Sequence, residues 1–254
     1  LSAPIVTPFT ETRPVEKTLV LIVSSDRGLA GSFNTKVFRT ADSFFGLDKI
    51  NGAGGHNYFV VTVGKKAAAY AVKKGLNIVK KFYEAGDYAM PEEIRPIANL
   101  LTDGFIKRKW DRVITISTHF RTTLKQDVLL RQVLPADLEK IRETVKEIIP
   151  EHGRWADVKA ANGLAAENGT EYIFEPSPTE ALNALLPHLI EMQIYHLMLE
   201  ANASEHSARM VAMKNASDNA DELSEKLNLE YNKARQASIT KEIIEITSTQ
   251  SAMA

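Results

Sequence analysis

The sequence predicts an α/β domain with a mainly parallel sheet, followed by one long C-terminal helix. Continuous apolar runs, such as KTLVLIV at residues 17–23, indicate strands that are buried on both faces. These runs alternate with helical patterns of about ten residues, which favours right-handed βαβ units in a Rossmann-like arrangement. From His188 to its end the sequence contains neither Gly nor Pro and reads as helix. So long a helix needs a surface to pack against.

Five strands are predicted from their apolar runs. The runs at 17–23 and 58–63 are almost continuously apolar, and DRVITISTHF at 111–120 is also interpreted as a strand. The run at 77–84 is more polar, and the run at 123–135 alternates poorly, which is typical of an edge strand.

Three helices are predicted between these strands, at 35–45, 64–74 and 91–109. Gly75 ends the second helix as a C-cap, because glycine adopts the left-handed conformation without a steric penalty. Pro91 begins the third helix, since a proline in the first turn has no intrahelical hydrogen bond to lose.

The chain is predicted to divide into three parts. Residues 1–16 are rich in Pro and Thr and are interpreted as a linker. Residues 17–176 form the α/β domain, which a short strand, EYIFEP at 171–176, is expected to close. Residues 177–254 form the long C-terminal helix. Ser177 is a natural N-cap for it, and Glu180 completes the capping-box pattern.

The last part of the helix carries a narrow apolar seam. Its spacings alternate between three and four residues, as in the a and d positions of a coiled coil, with Glu230 in one slot. A helix on the surface of a globule shows a wider stripe. The seam consists of Met213, Ala216, Ala220, Leu223, Leu227, Ala234 and Ala237. The alanines allow close approach of a second helix, which must come from outside this sequence, because no second long heptad segment is present.

Composition argues against several classes of function. The formal net charge of −1 gives no reason to expect nucleic acid or anionic lipid as a partner. The chain has no cysteine, which excludes disulfides and thiolate metal sites. The six histidines show no H-E-x-x-H spacing, and no apolar run reaches the 18 or more residues of a membrane span. No metal, cofactor or catalytic site is predicted.

One loop resembles a ligand-binding turn. SSDRGLAGSFN at 24–34 follows a strand and precedes a helix, a geometry that can hold an anion on backbone amides. It has neither the G-x-G-x-x-G nor the Gly-Lys-Ser/Thr pattern. A tight turn capped by Asp26 or Ser32 explains the residues equally, and Asp26 and Arg27 receive no other role. The alternative hypothesis is therefore a doubly wound protein that binds a nucleotide or small molecule through residues 25–32.

Three segments carry a resemblance to a known family. SSDRGLAGSFN (24–34), SEHSARMVAMKNASDNADEL (204–223) and YNKARQASITKEIIEI (231–246) resemble the gamma subunit of the rotary, F-type proton-translocating ATP synthase. In the C-terminal signature, Ile239, Thr240, Glu242 and Glu245 match the family. Thr249 and Gln250 stand where a Gly-Ala pair is usual.

The resemblance implies a mechanical subunit of the central stalk, with no catalytic site of its own. In the family, the C-terminal helix pairs with an N-terminal helix as an antiparallel coiled-coil shaft inside the ring of alpha and beta subunits, and the α/β domain forms a foot attached to epsilon and the c ring. Arg235, Gln236, Thr240 and Glu242 match positions that contact the alpha/beta ring. Tyr172 and Glu175 match positions that face the c ring.

The resemblance also bears on location and on the ends of the sequence. The family begins with a basic helix that has no counterpart here, so residues 1–16 are expected to follow a helix that is missing from this sequence. The absence of cysteine argues against the chloroplast form. The expected location is the cytoplasmic side of a bacterial inner membrane, peripheral through the complex, with the matrix side of the mitochondrial inner membrane as the alternative.

Overall fold

The structure is a computed structural model that describes residues 7–50, 57–83, 90–137, 175 and 177–252. In this part of the chain, five strands form one sheet in the order β3-β2-β1-β4-β5. The strands are β1 (Lys17–Val23), β2 (Asn57–Val63), β3 (Ile78–Phe82), β4 (Arg112–Phe120) and β5 (Gln126–Leu134). The helices are α1 (Phe33–Ile50), α2 (Lys65–Lys73), α3 (Pro91–Ile106) and α4 (Pro178–Ala252).

The sheet is mainly parallel, as predicted. β1 pairs in parallel with both β2 and β4, and β2 pairs in parallel with β3. β5 is the exception, because it runs antiparallel to β4 and forms one edge. The predicted fold class, an α/β domain with a long C-terminal helix, is confirmed.

Helices cover both faces of the sheet because the central strands are apolar on both sides. Leu19 and Leu21 of β1 point to one face, where they pack with α3 and the first part of α4. Val20 and Ile22 point to the other face and pack with α1 and α2. All four side chains are at most 1% exposed. Side chains of the continuous apolar run thus point alternately into two cores, one on each face of the sheet.

The helix ends follow the sequence signals closely. The backbone N–H of Glu180 donates to Ser177 Oγ at 3.2 Å, so Ser177 caps α4 as predicted. Gly75 has a φ of 65° directly after α2. α3 ends three residues earlier than predicted, because Arg108 adopts a φ of 56°, a left-handed conformation that no α-helix continues.

The described part of the N-terminal segment packs against the α/β core. Phe9 is 7% exposed and belongs to the core beneath α3 and α4, and its carbonyl accepts a hydrogen bond from Ala136 N at 2.7 Å. The Arg13 guanidinium donates to the carbonyls of Phe105 and Trp110, both at 2.8 Å. Residues 7–16, interpreted above as a linker, are therefore fixed to the α/β domain along this stretch.

The chain comprises two compact units, 1–208 and 209–254. The first contains the sheet and the beginning of α4, and the second consists of the rest of α4. The predicted limits 1–16, 17–176 and 177–254 stay a prediction.

Candidate functional site

The turn after β1, the candidate ligand loop, is held by its own side chains. The backbone N–H of Ser25 donates to Asn34 Oδ1 at 3.1 Å, and Ser25 Oγ donates to the Arg27 carbonyl at 2.6 Å. Leu29 and Gly31 have positive φ values of 65° and 55°, which makes the turn tight. The polar groups of the turn are thus used to shape it.

The same turn caps the neighbouring helix α2. Ser24 Oγ accepts a hydrogen bond from Ala67 N at 2.6 Å, and Asp26 Oδ1 accepts one from Lys65 N at 2.8 Å. Gly64 has a φ of 93°, and a Cβ atom there would collide with the Ser24 carbonyl. An anion at the N-terminus of α2 would meet the Asp26 carboxylate, so the geometry disfavours anion binding there.

A buried carboxylate on α4 joins the helix to the sheet. Glu200 Oε1 lies 2.7 Å from His119 Nδ1 and 3.1 Å from His196 Nε2, and Glu200 Oε2 accepts from Arg131 Nη1 at 3.1 Å. His119 lies on β4, Arg131 on β5 and His196 one helical turn before Glu200. We call these four residues the carboxylate clasp. The clasp was not predicted from the sequence, because His119 and Arg131 lie far from Glu200 along the chain.

The charges of the clasp stabilise the ionised form of Glu200. Burial alone raises the pKa of this carboxyl group. The hydrogen bond from His196 and the positive charges of Arg131 and the imidazoles outweigh that effect, so the pKa of Glu200 lies below its usual value. Glu200 is 9% exposed, and so the clasp operates largely away from water.

From Met213 to Ser248 every side chain of α4 is exposed. The seven seam residues fall within an arc of about 120° on an ideal helix. Arg235, Gln236, Thr240 and Glu242, predicted to contact the alpha/beta ring, lie outside that arc on another side. Ile239, Ile243 and Ile246 lie among these four, and their side chains are 45%, 55% and 66% exposed. The end of α4 thus presents two apolar stripes on different sides.

The residues predicted to face the c ring are only partly covered by the structure. Glu175 is exposed. Tyr172 lies outside the described residues, as does most of the predicted strand at 171–176. Their role stays a prediction.

Among the residues that the structure describes, no helix is both long and apolar enough to cross a membrane. No group of three or more His, Cys, Asp or Glu side chains there is arranged to hold a metal ion. In the clasp, the Arg131 guanidinium occupies the second carboxylate oxygen, which would otherwise be available to a cation.

Comparison with known proteins gives consistent matches. A family model described as ATP synthase matches residues 2–253. The ATP synthase gamma chain of Roseiflexus castenholzii is 41% identical over 245 residues, covering 96% of this chain and 76% of the relative. That of Opitutus terrae is 38% identical over 247 residues, covering 97% and 78%. A chain in the structure of the Euglena gracilis mitochondrial ATP synthase, comprising OSCP, F1 and the c ring, has a TM-score of 0.62 at 21% identity, covering 94% of this chain and 73% of that one.

Proposed function

Because this chain belongs to the ATP synthase gamma chain family, we propose that it is the central-stalk rotor subunit of an F-type ATP synthase. It couples proton-driven rotation of the membrane c ring to ATP synthesis or hydrolysis at the catalytic alpha/beta ring. The observation that carries this proposal is the C-terminal part of α4, in which residues 213–248 are exposed on every side. Residues 209–252 alone would extend over roughly 65 Å at 1.5 Å per residue.

A helix with apolar residues on two sides requires two kinds of neighbour. The alanine-rich seam, which includes Ala216, Ala220 and Ala234, suits the close approach of a second helix in a coiled coil. The other stripe, with Ile239, Ile243 and Ile246, suits an apolar bearing surface outside that pair. An N-terminal helix of the gamma chain would cover the first, and the alpha and beta subunits would surround the second.

The polar residues that lie among the isoleucines make the contacts of the helix depend on its rotational angle. A rotor can drive a conformational cycle only if its contacts favour different states of the surrounding subunits at different angles. Arg235, Gln236, Thr240 and Glu242 lie on one side of the helix, so they meet a given beta subunit during only part of a turn. Uniform contacts at all angles would transmit no torque.

The α/β domain, bearing Glu175 and Tyr172, is the part proposed to contact epsilon and the c ring. The finer location, the cytoplasmic side of a bacterial inner membrane, is supported by the bacterial relatives. The chain is held there through the complex.

Assembly of this chain with alpha and beta subunits tests the proposal. The gamma chain that contains this sequence is expressed with alpha and beta subunits, and the purified complex is weighed by native mass spectrometry. We expect one copy in a complex of three alpha and three beta subunits, with ATPase activity. Recovery of alpha and beta without this chain would refute the proposal. In parallel, tight equilibrium binding of ATP or NAD to the isolated chain would favour the doubly wound binding protein instead.

A further inference from the structure

The first part of α4 is attached to the sheet by two different kinds of contact. Leu186, Ile190, Ile194 and Met198 are at most 1% exposed and pack into the core against β1 and α3. Apolar packing of this kind is strong but has no directional preference. It holds the helix on the sheet, and its close packing already opposes a large rotation about the helix axis.

The carboxylate clasp opposes rotation of α4 about its own axis. Both oxygens of Glu200 are engaged, Oε1 by His119 of β4 and Oε2 by Arg131 of β5. His196, on the same helix, holds the carboxylate from a third side. Side chains reach about 5–6 Å from a helix axis, so a twist of about 20° moves this carboxylate by about 2 Å. Such a shift breaks hydrogen bonds of 2.7–3.1 Å.

The clasp also lies where the attachment to the sheet ends. Ser204, one turn after Glu200, is fully buried, whereas every side chain from Met213 to Ser248 is exposed. Glu200 is therefore among the last side chains of α4 that the sheet restrains. A twisting load on the helix beyond it reaches the clasp before it reaches the apolar contacts of Leu186, Ile190 and Ile194.

We propose that Glu200 is a positioning residue that fixes the rotational setting of α4 on the sheet under load, through His119 and Arg131. This inference rests on the proposed rotor function. Loss of the clasp lets the helix slip on the α/β domain, so that rotation of one is incompletely passed to the other.

A second ion pair on α4 provides a matched control. Arg95 Nε of α3 lies 3.1 Å from Glu191 Oε1, so it also joins α4 to a neighbouring element. The Arg95 side chain is 60% exposed, in contrast to 13% for His119 and for Arg131. An exposed pair contributes little to holding the helix. Glu191→Gln therefore removes an ion pair of the same kind and leaves the buried carboxylate clasp intact.

The experiment uses complete ATP synthase reconstituted in lipid vesicles, with the gamma chain unchanged or carrying Glu200→Gln, His119→Phe or Glu191→Gln. ATP-driven proton uptake and ATP hydrolysis are measured on the same vesicles. We expect the ratio of uptake to hydrolysis to fall at least twofold in Glu200→Gln and His119→Phe, with hydrolysis itself within twofold of the unchanged enzyme. Glu191→Gln is expected to leave the ratio unchanged.

The outcomes separate this inference from the proposed function. Absence of ATP-driven uptake with the unchanged chain would count against the rotor function itself. Assembled Glu200→Gln enzyme with an unchanged ratio would overturn the positioning role alone. Failure of both clasp variants to assemble would show that the clasp serves folding, and would also overturn it.

Discussion

Gly104 of α3 lies directly against the Trp110 ring, and a Cβ atom on Gly104 would overlap that ring. The Trp110 indole is fixed in turn, because its Nε1–H donates to the Leu101 carbonyl at 2.9 Å and its side chain is 3% exposed. The ring therefore has little room to move. This pair locks the end of α3 onto the turn that leads into β4.

We expect Gly104→Ala to lower the free energy of unfolding by about 2–3 kcal/mol, because the added methyl group forces the ring or the helix to shift. Urea unfolding followed by circular dichroism measures the change. Gly46→Ala in α1 is the matched control, since nothing lies within 4 Å of its added Cβ. Gly46→Ala should raise the free energy of unfolding by about 0.5–1 kcal/mol, because alanine is more favourable than glycine within a helix. Equal effects of the two substitutions would contradict the assignment.

Removal of the cap on α2 should cost stability without affecting assembly. Asp26→Ala deletes the acceptor for Lys65 N, and the loss of such a cap costs about 1 kcal/mol. Ser32→Ala changes an exposed residue of the same turn and should stay within about 0.5 kcal/mol. Thermal unfolding of both variants is compared, and a loss for Ser32→Ala as large as that for Asp26→Ala would contradict the capping role of Asp26.

The clasp predicts a specific dependence of stability on pH. The folded pKa of Glu200 is lowered, so its contribution to stability is present above the unfolded value of about 4.3 and is lost as the pH falls through the folded value. Glu200→Gln should lower the free energy of unfolding by about 2 kcal/mol at pH 7, where the ionised carboxylate makes charged hydrogen bonds. The difference between the two proteins should shrink below about pH 4.

Denaturant titrations of both proteins between pH 3 and 7 test this dependence. Glu191→Gln again serves as the control, with a difference that stays small at every pH. A gap between Glu200→Gln and the unchanged protein that is constant across the range would mean that the charge of Glu200 is not what stabilises the fold.

The seam predicts which side of the helix tolerates charge. Ala220→Glu with Leu227→Glu places two carboxylates in the predicted helix–helix contact and should reduce recovery of gamma in the alpha/beta complex at least tenfold. Asn215→Glu with Asn228→Glu introduces the same side chains outside the seam's arc of about 120° and should assemble normally. All four positions are exposed in this chain, so neither pair should alter its own unfolding temperature. Pull-down with tagged beta subunit measures recovery.

The predicted contacts to the alpha/beta ring should affect turnover rather than folding. Replacing Gln236 and Thr240 by Ala in the assembled enzyme should lower ATP hydrolysis about fivefold, equivalent to about 1 kcal/mol of activation free energy. Lys233→Ala, another exposed position on the same helix, should leave the rate within twofold. Normal rates in the Gln236 and Thr240 variant would exclude these residues from coupling.

The elements of this fold were predictable because their signals are local. The apolar run at 17–23, Gly75 after α2 and Ser177 before α4 each act through their own immediate neighbours. The antiparallel direction of β5 was not predicted, because strand direction depends on pairing between segments. Phe9 was also missed, since one apolar residue in a Pro- and Thr-rich segment gives no periodic pattern.

The clasp, like the direction of β5, could not be predicted from the sequence, because it depends on contacts between distant segments. Its members come from β4, β5 and α4, and only the folded sheet brings them together. One signal was available: Glu200 is the single charged residue in the apolar stretch LMLEA at 197–201. A charge in such a position is rarely buried without a partner, which indicates a counter-ion elsewhere in the chain.

The exposure of α4 from Met213 to Ser248 also bears on how this segment changes through evolution. Its side chains meet no core of their own chain, so the intrinsic fold imposes almost no constraint on them. Under the proposed function, the residues of the isoleucine stripe (Ile239, Ile243 and Ile246) face surfaces that the alpha and beta genes encode, whereas the seam faces another part of the gamma chain itself. Variation in the isoleucine stripe is expected to track compensating variation in the alpha and beta genes.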